Sequence, residues 1–146
     1  MEVQISTMKE DDLQALLPVW NKDFDNFWPF SILENEFKNS NSLCYVAKLN
    51  NEIVGIAGLW KSVDDIHITN IVIKKIFRNN GFGSSLLQKL INVSKDLKYT
   101  SITLEVNEKN IAAKKLYEKF NFKELGIRKK YYNNTDNAII MTLYLN

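Results

Sequence analysis

A strand-like apolar run, Ile71-Val72-Ile73, leads within four residues into Arg78-Asn79-Asn80-Gly81-Phe82-Gly83-Ser84, and a helical pattern then continues unbroken from Ser84 to Leu97. A strand that feeds a helix through a two-glycine turn marks an α/β chain. Glycine has no Cβ, so the loop can turn tightly and bring backbone N–H groups close to an anion. The first N–H groups of the following helix lack intrahelical partners and lie at the positive end of its dipole. The segment therefore reads as a phosphate cradle. The same spacing also serves a plain helix-start turn.

The rest of the chain fills in around this unit. Met1 to Ser6 alternates as a first strand. A helix starting at Thr7 or Glu10-Asp11 runs through Phe24, with Leu13, Leu16, Leu17 and Trp20 on one face and a kink or break predicted at Pro18. Asn26 to Pro29 is an aromatic loop. Ser31 and Glu34 have capping-box spacing and predict a short helix to about Phe37. Strands follow at Leu43–Leu49 and Ile53–Trp60, joined by Asn50-Asn51, a favoured hairpin pair. The next strand, Asp65–Ile73, has a phase slip. Ile66 and Ile68 share one phase, Ile71 and Ile73 the other. An inserted residue would restore a common face, which predicts a β-bulge near Thr69 or Asn70. Such a bulge frees backbone groups just before the glycine loop.

After the glycine helix, Ser101 to Val106 is a strand with Ile102, Leu104 and Val106 facing one way. Asn110 is a good N-cap for a helix over Ile111–Phe120, and Asn121 ends it. Phe122–Ile127 and Ala138–Leu145 form a last strand pair around the polar loop Tyr132–Asn137. The predicted fold is a mixed central sheet of about seven strands, the fourth bulged, with helices on both faces.

At 146 residues, with 45% hydrophobic and 25% charged, the chain reads as one globular domain spanning 1–146. The net charge of +2 is too small to carry nucleic-acid binding, and Lys74-Lys75 and Arg128-Lys129-Lys130 read as solvated faces. Cys44, the only cysteine, lies in an apolar run and reads as a buried structural thiol. With one histidine, His67, a Cys/His metal site is not expected, and none is assigned. His67 itself reads as structural. The sequence has neither an apolar run of membrane-spanning length nor a visible signal peptide, so a cytoplasmic protein without membrane contact is expected.

Several motifs together resemble the GNAT superfamily of acyl-CoA-dependent N-acetyltransferases. They are the Ile71–Ile73 run, Arg78-x-x-Gly81-x-Gly83, and Leu104-Glu105-Val106-Asn107 followed by Asn110-x-x-Ala113-x-x-x-Tyr117-x-x-x-Asn121-Phe122. Trp28-Pro29-Phe30-Ser31, Ile66-His67-Ile68-x-Asn70-Ile71, Arg128-x-x-Tyr131-Tyr132 and Asp136-x-Ala138-x-x-Met141 extend the likeness over nearly the whole chain. Within the superfamily they resemble the RimI type, which acetylates the N-terminal α-amine of a small-subunit ribosomal protein.

The resemblance implies roles. Acetyl-CoA would pair its pantetheine amides with the backbone of Ile71, Val72 and Ile73. Its pyrophosphate would sit on Arg78 and on the N–H groups of Asn79, Asn80, Gly81, Phe82, Gly83 and Ser84. Asn110 would contact CoA, a role compatible with an N-cap. Glu105 would be the general base, Tyr117 the general acid that protonates the departing thiolate, and Tyr131 and Tyr132 part of the peptide site. A physical case accompanies Glu105. An α-ammonium with a pKa of about 8 must lose a proton before attack. A strand-end carboxylate partly buried between Leu104 and Val106 would be raised toward neutrality. Glu105 also fits a solvated strand end, Tyr117 a core aromatic, and the tyrosine pair simple edge packing.

The sequence departs from the family pattern in two places. Asn79 and Asn80 precede the first glycine where a second basic residue is more usual, and Lys74 and Lys75 could partly compensate. Asn121 replaces a frequent glycine but tolerates the left-handed conformation. Direct transfer without an acyl-enzyme is expected, since the only thiol is in an apolar setting. Two alternatives stay open: a small-molecule amine as acceptor, with Asp23, Asp25, Glu34 and Glu36 in view, and a non-catalytic acyl-CoA-binding module.

Overall fold

The computed structural model describes residues 2–24, 28–132 and 135–145. Met1, Asp25, Asn26, Phe27, Asn133, Asn134 and Asn146 lie outside the described residues, and so does the side chain of Tyr132. The expectations that fall on them are part of the first strand, most of the aromatic loop, the acidic Asp25 and the tip of the last turn.

A seven-stranded sheet forms the centre, in the order β1-β2-β3-β4-β5-β7-β6. Its strands are β1 (Gln4–Thr7), β2 (Ser42–Leu49), β3 (Glu52–Lys61), β4 (Ile66–Ile73), β5 (Ser101–Asn107), β6 (Lys123–Tyr132) and β7 (Asp136–Tyr144). The helices are α1 (Glu10–Leu16), α2 (Trp20–Asp23), α3 (Phe30–Lys38), α4 (Phe82–Asp96) and α5 (Ile111–Lys119). Between α1 and α2, Leu17–Val19 is a 3₁₀ turn around Pro18, the break that proline imposes. The break rotates Leu17 out of the expected stripe. Leu13, Leu16 and Trp20 are buried, but Leu17 is exposed.

The hydrophobic core has two layers. On one face of the sheet α4 contributes Phe82, Leu86, Leu87 and Leu90, and α5 contributes Tyr117. On the other, Leu13, Leu16, Trp20, Phe24 and Leu33 cover Val46, Ile56 and Val72. Asn50 and Asn51 both take positive φ, 51° and 68°, as a primed hairpin turn requires. Helix α3 begins two residues earlier than the Ser31 cap predicts, with Pro29 at its N-cap and no side-chain cap. The Ser31–Glu34 spacing is therefore not a capping box, because Ser31 is already the second residue inside the helix. Strand β6 is longer than predicted. Tyr131 and Tyr132 are strand residues, with Tyr132 opposite Asp136, so the loop narrows to the residues between them.

The bulge is where the phase slip predicts it. Gly58 pairs with Asn70 and Leu59 with Ile68, which leaves Thr69 as the extra residue. Ile66 and Ile68 then share the α4/α5 layer with Ile71 and Ile73. Every neighbouring strand pair is antiparallel except β4–β5. That parallel pair holds only at Ile66↔Ile102 and His67↔Thr103. Beyond it the strands splay, and the β5-facing edge of β4 from Ile68 to Ile73 has no strand partner among the described residues.

Candidate active site

Cavities open on the splay between β4 and β5. The larger, about 580 Å³, lies between the end of β4, the start of α4 and α5. Its walls include Ile71, Val72, Ile73, Arg78, Asn79, Gly81, Phe82, Gly83, Ser84 and Asn110, together with Tyr117. The sequence reading missed Phe24, Phe77 and Leu116, which also line it. Of these, Leu116 could have been read from its helix phase beside Tyr117; Phe24 stands at the C-cap of α2 and Phe77 at the end of a 3₁₀ turn, Lys75–Phe77, where sequence shows no sign of the cavity.

Local chemistry shapes the loop. Gly81 has φ +81° and a Cβ there would meet nothing within 4 Å, so its conformation, not crowding, demands glycine. Asn79 also takes positive φ, 65°. Asn80 does not line the cavity. Its side-chain amide donates to the carbonyls of Phe77 (3.0 Å) and Arg78 (3.2 Å), which braces the loop. Arg78 Nε donates to the Ile73 carbonyl at 3.1 Å, tying the strand end to the loop. With Gly81 as N-cap, α4 begins without a side-chain cap. Ser85 N–H makes the helix-type bond to Gly81 O, so the Phe82, Gly83 and Ser84 N–H groups are the unpaired donors of its first turn. Asn110 caps α5, its Oδ1 accepting from Ala113 N–H at 3.1 Å.

Lys74 does not serve the loop. Its ammonium is held by Glu52 (2.9 Å) and Asp23 (3.4 Å), so its charge is already matched. The expected compensation by Lys74 is therefore corrected; the loop itself offers Arg78 and the first-turn backbone donors at the positive end of the helix dipole.

The smaller cavity, about 400 Å³, is lined by Trp28, Trp60, His67, Ile68, Thr69, Leu104, Glu105 and Tyr131. Glu105 sits on the face of β5 that points away from the core layer, and its side chain is partly covered, 31% exposed. Its carboxylate pairs with Arg128, Nη1 to Oε1 at 3.1 Å. The Arg128 guanidinium lies over the Tyr131 ring, 5.0 Å from its centroid. His67 joins this wall, its Nε2 3.0 Å from Asp65 and its ring tilted against Trp60. Glu105 and Tyr131 thus share one cavity, while Tyr117 lies in the other. Tyr117 is buried and meets Phe122 edge to face at 5.7 Å. Burial pushes the Cys44 thiol up to about 12. Among the described residues no group of three or more His, Cys, Asp or Glu is placed to hold a metal ion. No helix among them is long and apolar enough to cross a membrane.

Comparisons with known proteins agree with this fold. A [ribosomal protein bS18]-alanine N-acetyltransferase of Haemophilus influenzae is 35% identical over 147 aligned positions, 97% of this chain and 98% of that protein. The crystal structure of the ribosomal-protein-S18-alanine N-acetyltransferase from Escherichia coli superposes with TM-score 0.88 at 26% identity, covering 99% of this chain and 95% of that one. A GNAT family acetyltransferase from Elizabethkingia anophelis, crystallised with acetyl-CoA bound, shares the fold with TM-score 0.77 at 24% identity, over 98% of each chain. Residues 13–122 match the acetyltransferase (GNAT) family, and the chain belongs to that family.

Proposed function

We propose that this enzyme transfers an acetyl group from acetyl-CoA to the N-terminal α-amine of a protein, with a small-subunit ribosomal protein as the acceptor. The observation that carries the reading is the splay of β4 from β5. It leaves a free strand edge leading straight into an uncapped, glycine-started helix. A free edge suits an amide-bearing chain such as pantetheine, and the helix start suits its pyrophosphate.

Acetyl-CoA supplies the activated thioester. Ile71, Val72 and Ile73 hold the amide-bearing arm through their backbone. Arg78 and the N–H groups of Asn79 to Ser84 hold the phosphates; Asn80 contributes by bracing the loop. Asn110 combines its capping role with a contact to the CoA arm. Glu105 accepts a proton from the amine, and Tyr117 donates one to the sulfur. Tyr131 and Tyr132 flank the acceptor chain. Cys44, buried and hard to ionise, supports direct attack without an acyl-enzyme. Acetyl-CoA and a ribosomal acceptor place the reaction in the cytoplasm, with neither nucleic acid nor membrane needed.

The walls of the smaller cavity favour a peptide over a polyamine. Glu105 is their one carboxylate and already has a cation beside it. Of the acidic residues that kept a small-amine acceptor in view, Asp23 pairs with Lys74 and Glu34 with Lys38, Glu36 stands behind Thr69 and does not line the cavity, and Asp25 lies outside the described residues. The test is acetylation of a panel of N-terminal peptides and small amines with labelled acetyl-CoA. Label in α-amines of peptides is expected. Label confined to small amines, or CoA binding without turnover, would replace this reading by one of the two alternatives.

A further inference from the structure

A polar cluster lies under the β4 bulge, apart from the residues given roles above. Thr69, the extra residue of the bulge, lines the smaller cavity. Its hydroxyl donates to Glu36 Oε1 from α3. The Asn70 side-chain amide reaches the same oxygen at 3.4 Å and Thr69 Oγ1 at 3.1 Å. Glu36 does not line the cavity, so Thr69 is its link to it. Gly58, opposite on β3, makes the room. A Cβ there would come within 2.3 Å of Glu36 Oε1, 2.6 Å of Thr69 Oγ1 and 2.8 Å of Asn70 Nδ2. A glycine and a bulge are thus both matched to one carboxylate contact.

We propose that Thr69 and Glu36 form a proton path out of the acceptor cavity. Thr69 touches the incoming ammonium, and Glu36 is the positioning residue that orients its hydroxyl and holds the proton. The inference rests on the acetyl-transfer reading. The steps balance as follows. The ammonium gives one proton to Thr69 Oγ1 while the Thr69 hydroxyl proton passes to Glu36, leaving a neutral amine, an unchanged threonine and a carboxylic acid. Glu105 takes the second proton as the C–N bond forms, and Tyr117 protonates the sulfur as the C–S bond breaks. Glu36 later returns its proton to solvent, Glu105 releases the one it took and Tyr117 regains the one it gave, so the net yield is one proton per acetyl transferred.

The composition of the cluster fits this task. With Glu36 ionised, the cluster is rich in acceptors, and Asn70 Oδ1 is buried with no hydrogen-bond partner among the described residues. An added proton therefore enters a site short of donors. Burial holds the Glu36 carboxyl above the ordinary carboxylate range, against the opposing bond from Thr69. From β2, the titratable group facing it is the Cys44 thiol; β4 presents the neutral Thr69 and Asn70, and β3 presents Gly58. Glu105, by contrast, is engaged with Arg128.

The experiment is the pH profile of kcat/KM for a peptide acceptor at saturating acetyl-CoA, with wild type, Glu36→Gln, Thr69→Val and the double variant. Each single change should lower kcat/KM about ten- to hundredfold near pH 6.5. The loss should shrink above about pH 9, where the acceptor is already a free amine. The double variant should be no worse than either single one, because both lie on one path. CoA affinity by calorimetry should not move, and Thr69→Ser, which keeps the hydroxyl, should lose far less than Thr69→Val. An active wild type with a parallel Glu36→Gln profile, or losses that multiply, overturns the relay alone. A wild type that acetylates no amine overturns the acetyl-transfer reading and the relay with it.

Discussion

Arg128 Nη1 lies 3.1 Å from Glu105 Oε1 and 3.2 Å from Oε2, so one guanidinium nitrogen serves both oxygens of the carboxylate. The same guanidinium covers Tyr131. It stands where the ammonium of an acceptor would also be drawn, and the two cations compete for one carboxylate. Arg128→Ala is expected to lower KM for a peptide acceptor several-fold, by the modest worth of an exposed pair. Steady-state kinetics at two salt concentrations decides it: a raised KM would mean that the acceptor needs the guanidinium. Glu105→Gln should lower kcat by about two to four orders of magnitude with CoA affinity nearly intact. Unchanged turnover at neutral pH would remove Glu105 as the base.

The two glycines of the loop should fail differently. At Gly81 the penalty is conformational, since φ is +81° and the space is open. Gly81→Ala should cost about 1–2 kcal/mol of stability, read by chemical denaturation. At Gly83 a Cβ would sit 3.6 Å from Leu116 and 3.9 Å from Ile73, ordinary contact distances. The backbone there is helical, so Gly83→Val should fold. Its extra methyls would enter the cavity wall, with an expected loss of CoA affinity of about ten- to hundredfold. Calorimetry with unaltered affinity would show that CoA does not pass between α4 and α5.

Cys44 offers a test of direct transfer. Its thiol, buried and raised to about 12, is ionised on the order of once in ten thousand at pH 8. Alkylation by iodoacetamide should be slow in the native protein and fast in urea. Cys44→Ala should leave turnover within about twofold, at a stability cost of roughly 1 kcal/mol for the small cavity. Acetylated Cys44 detected by mass spectrometry during turnover would restore the covalent route.

Much of this was legible in the sequence because the signals are local. The phase slip between Ile68 and Ile71 located the bulge that the β3–β4 register places at Thr69. Asn110 read as a cap and does cap α5. Asn121, read as a left-handed helix end, has φ 73°. What stayed hidden is pairwise and long-range. Glu36 and Thr69 are 33 positions apart, and Arg128 and Glu105 are 23 apart. No periodicity links such positions; only the sheet order brings β6 and β5 to opposite sides of β7. Lys74 read as a free basic residue because Glu52 and Asp23 reach it only through the fold. That Trp28, Trp60 and His67 form one wall was not legible either. Those residues come from a loop, the end of one strand and the start of the next, and meet only beside the bulge.

Glu36 also makes a prediction about stability that does not depend on catalysis. Its folded carboxyl titrates above its unfolded range because of burial, opposed by the Thr69 bond. The native state therefore holds on to this proton at a pH where the unfolded chain has released it. By linkage, ionising Glu36 opposes folding: its contribution is most favourable below the unfolded carboxylate pKa and is lost as pH rises through the folded value. Glutamine keeps an oxygen to accept from Thr69 and Asn70 and removes the buried charge. Glu36→Gln should then be at least as stable as wild type at pH 7, with the advantage shrinking as pH falls toward about 4. Urea denaturation at pH 7, 5.5 and 4 measures it. A variant markedly less stable at pH 7 than at pH 4, relative to wild type, would mean that the carboxylate contributes to the fold as an anion. A stabilised but slow enzyme is the combination expected of a carboxylate kept for its proton.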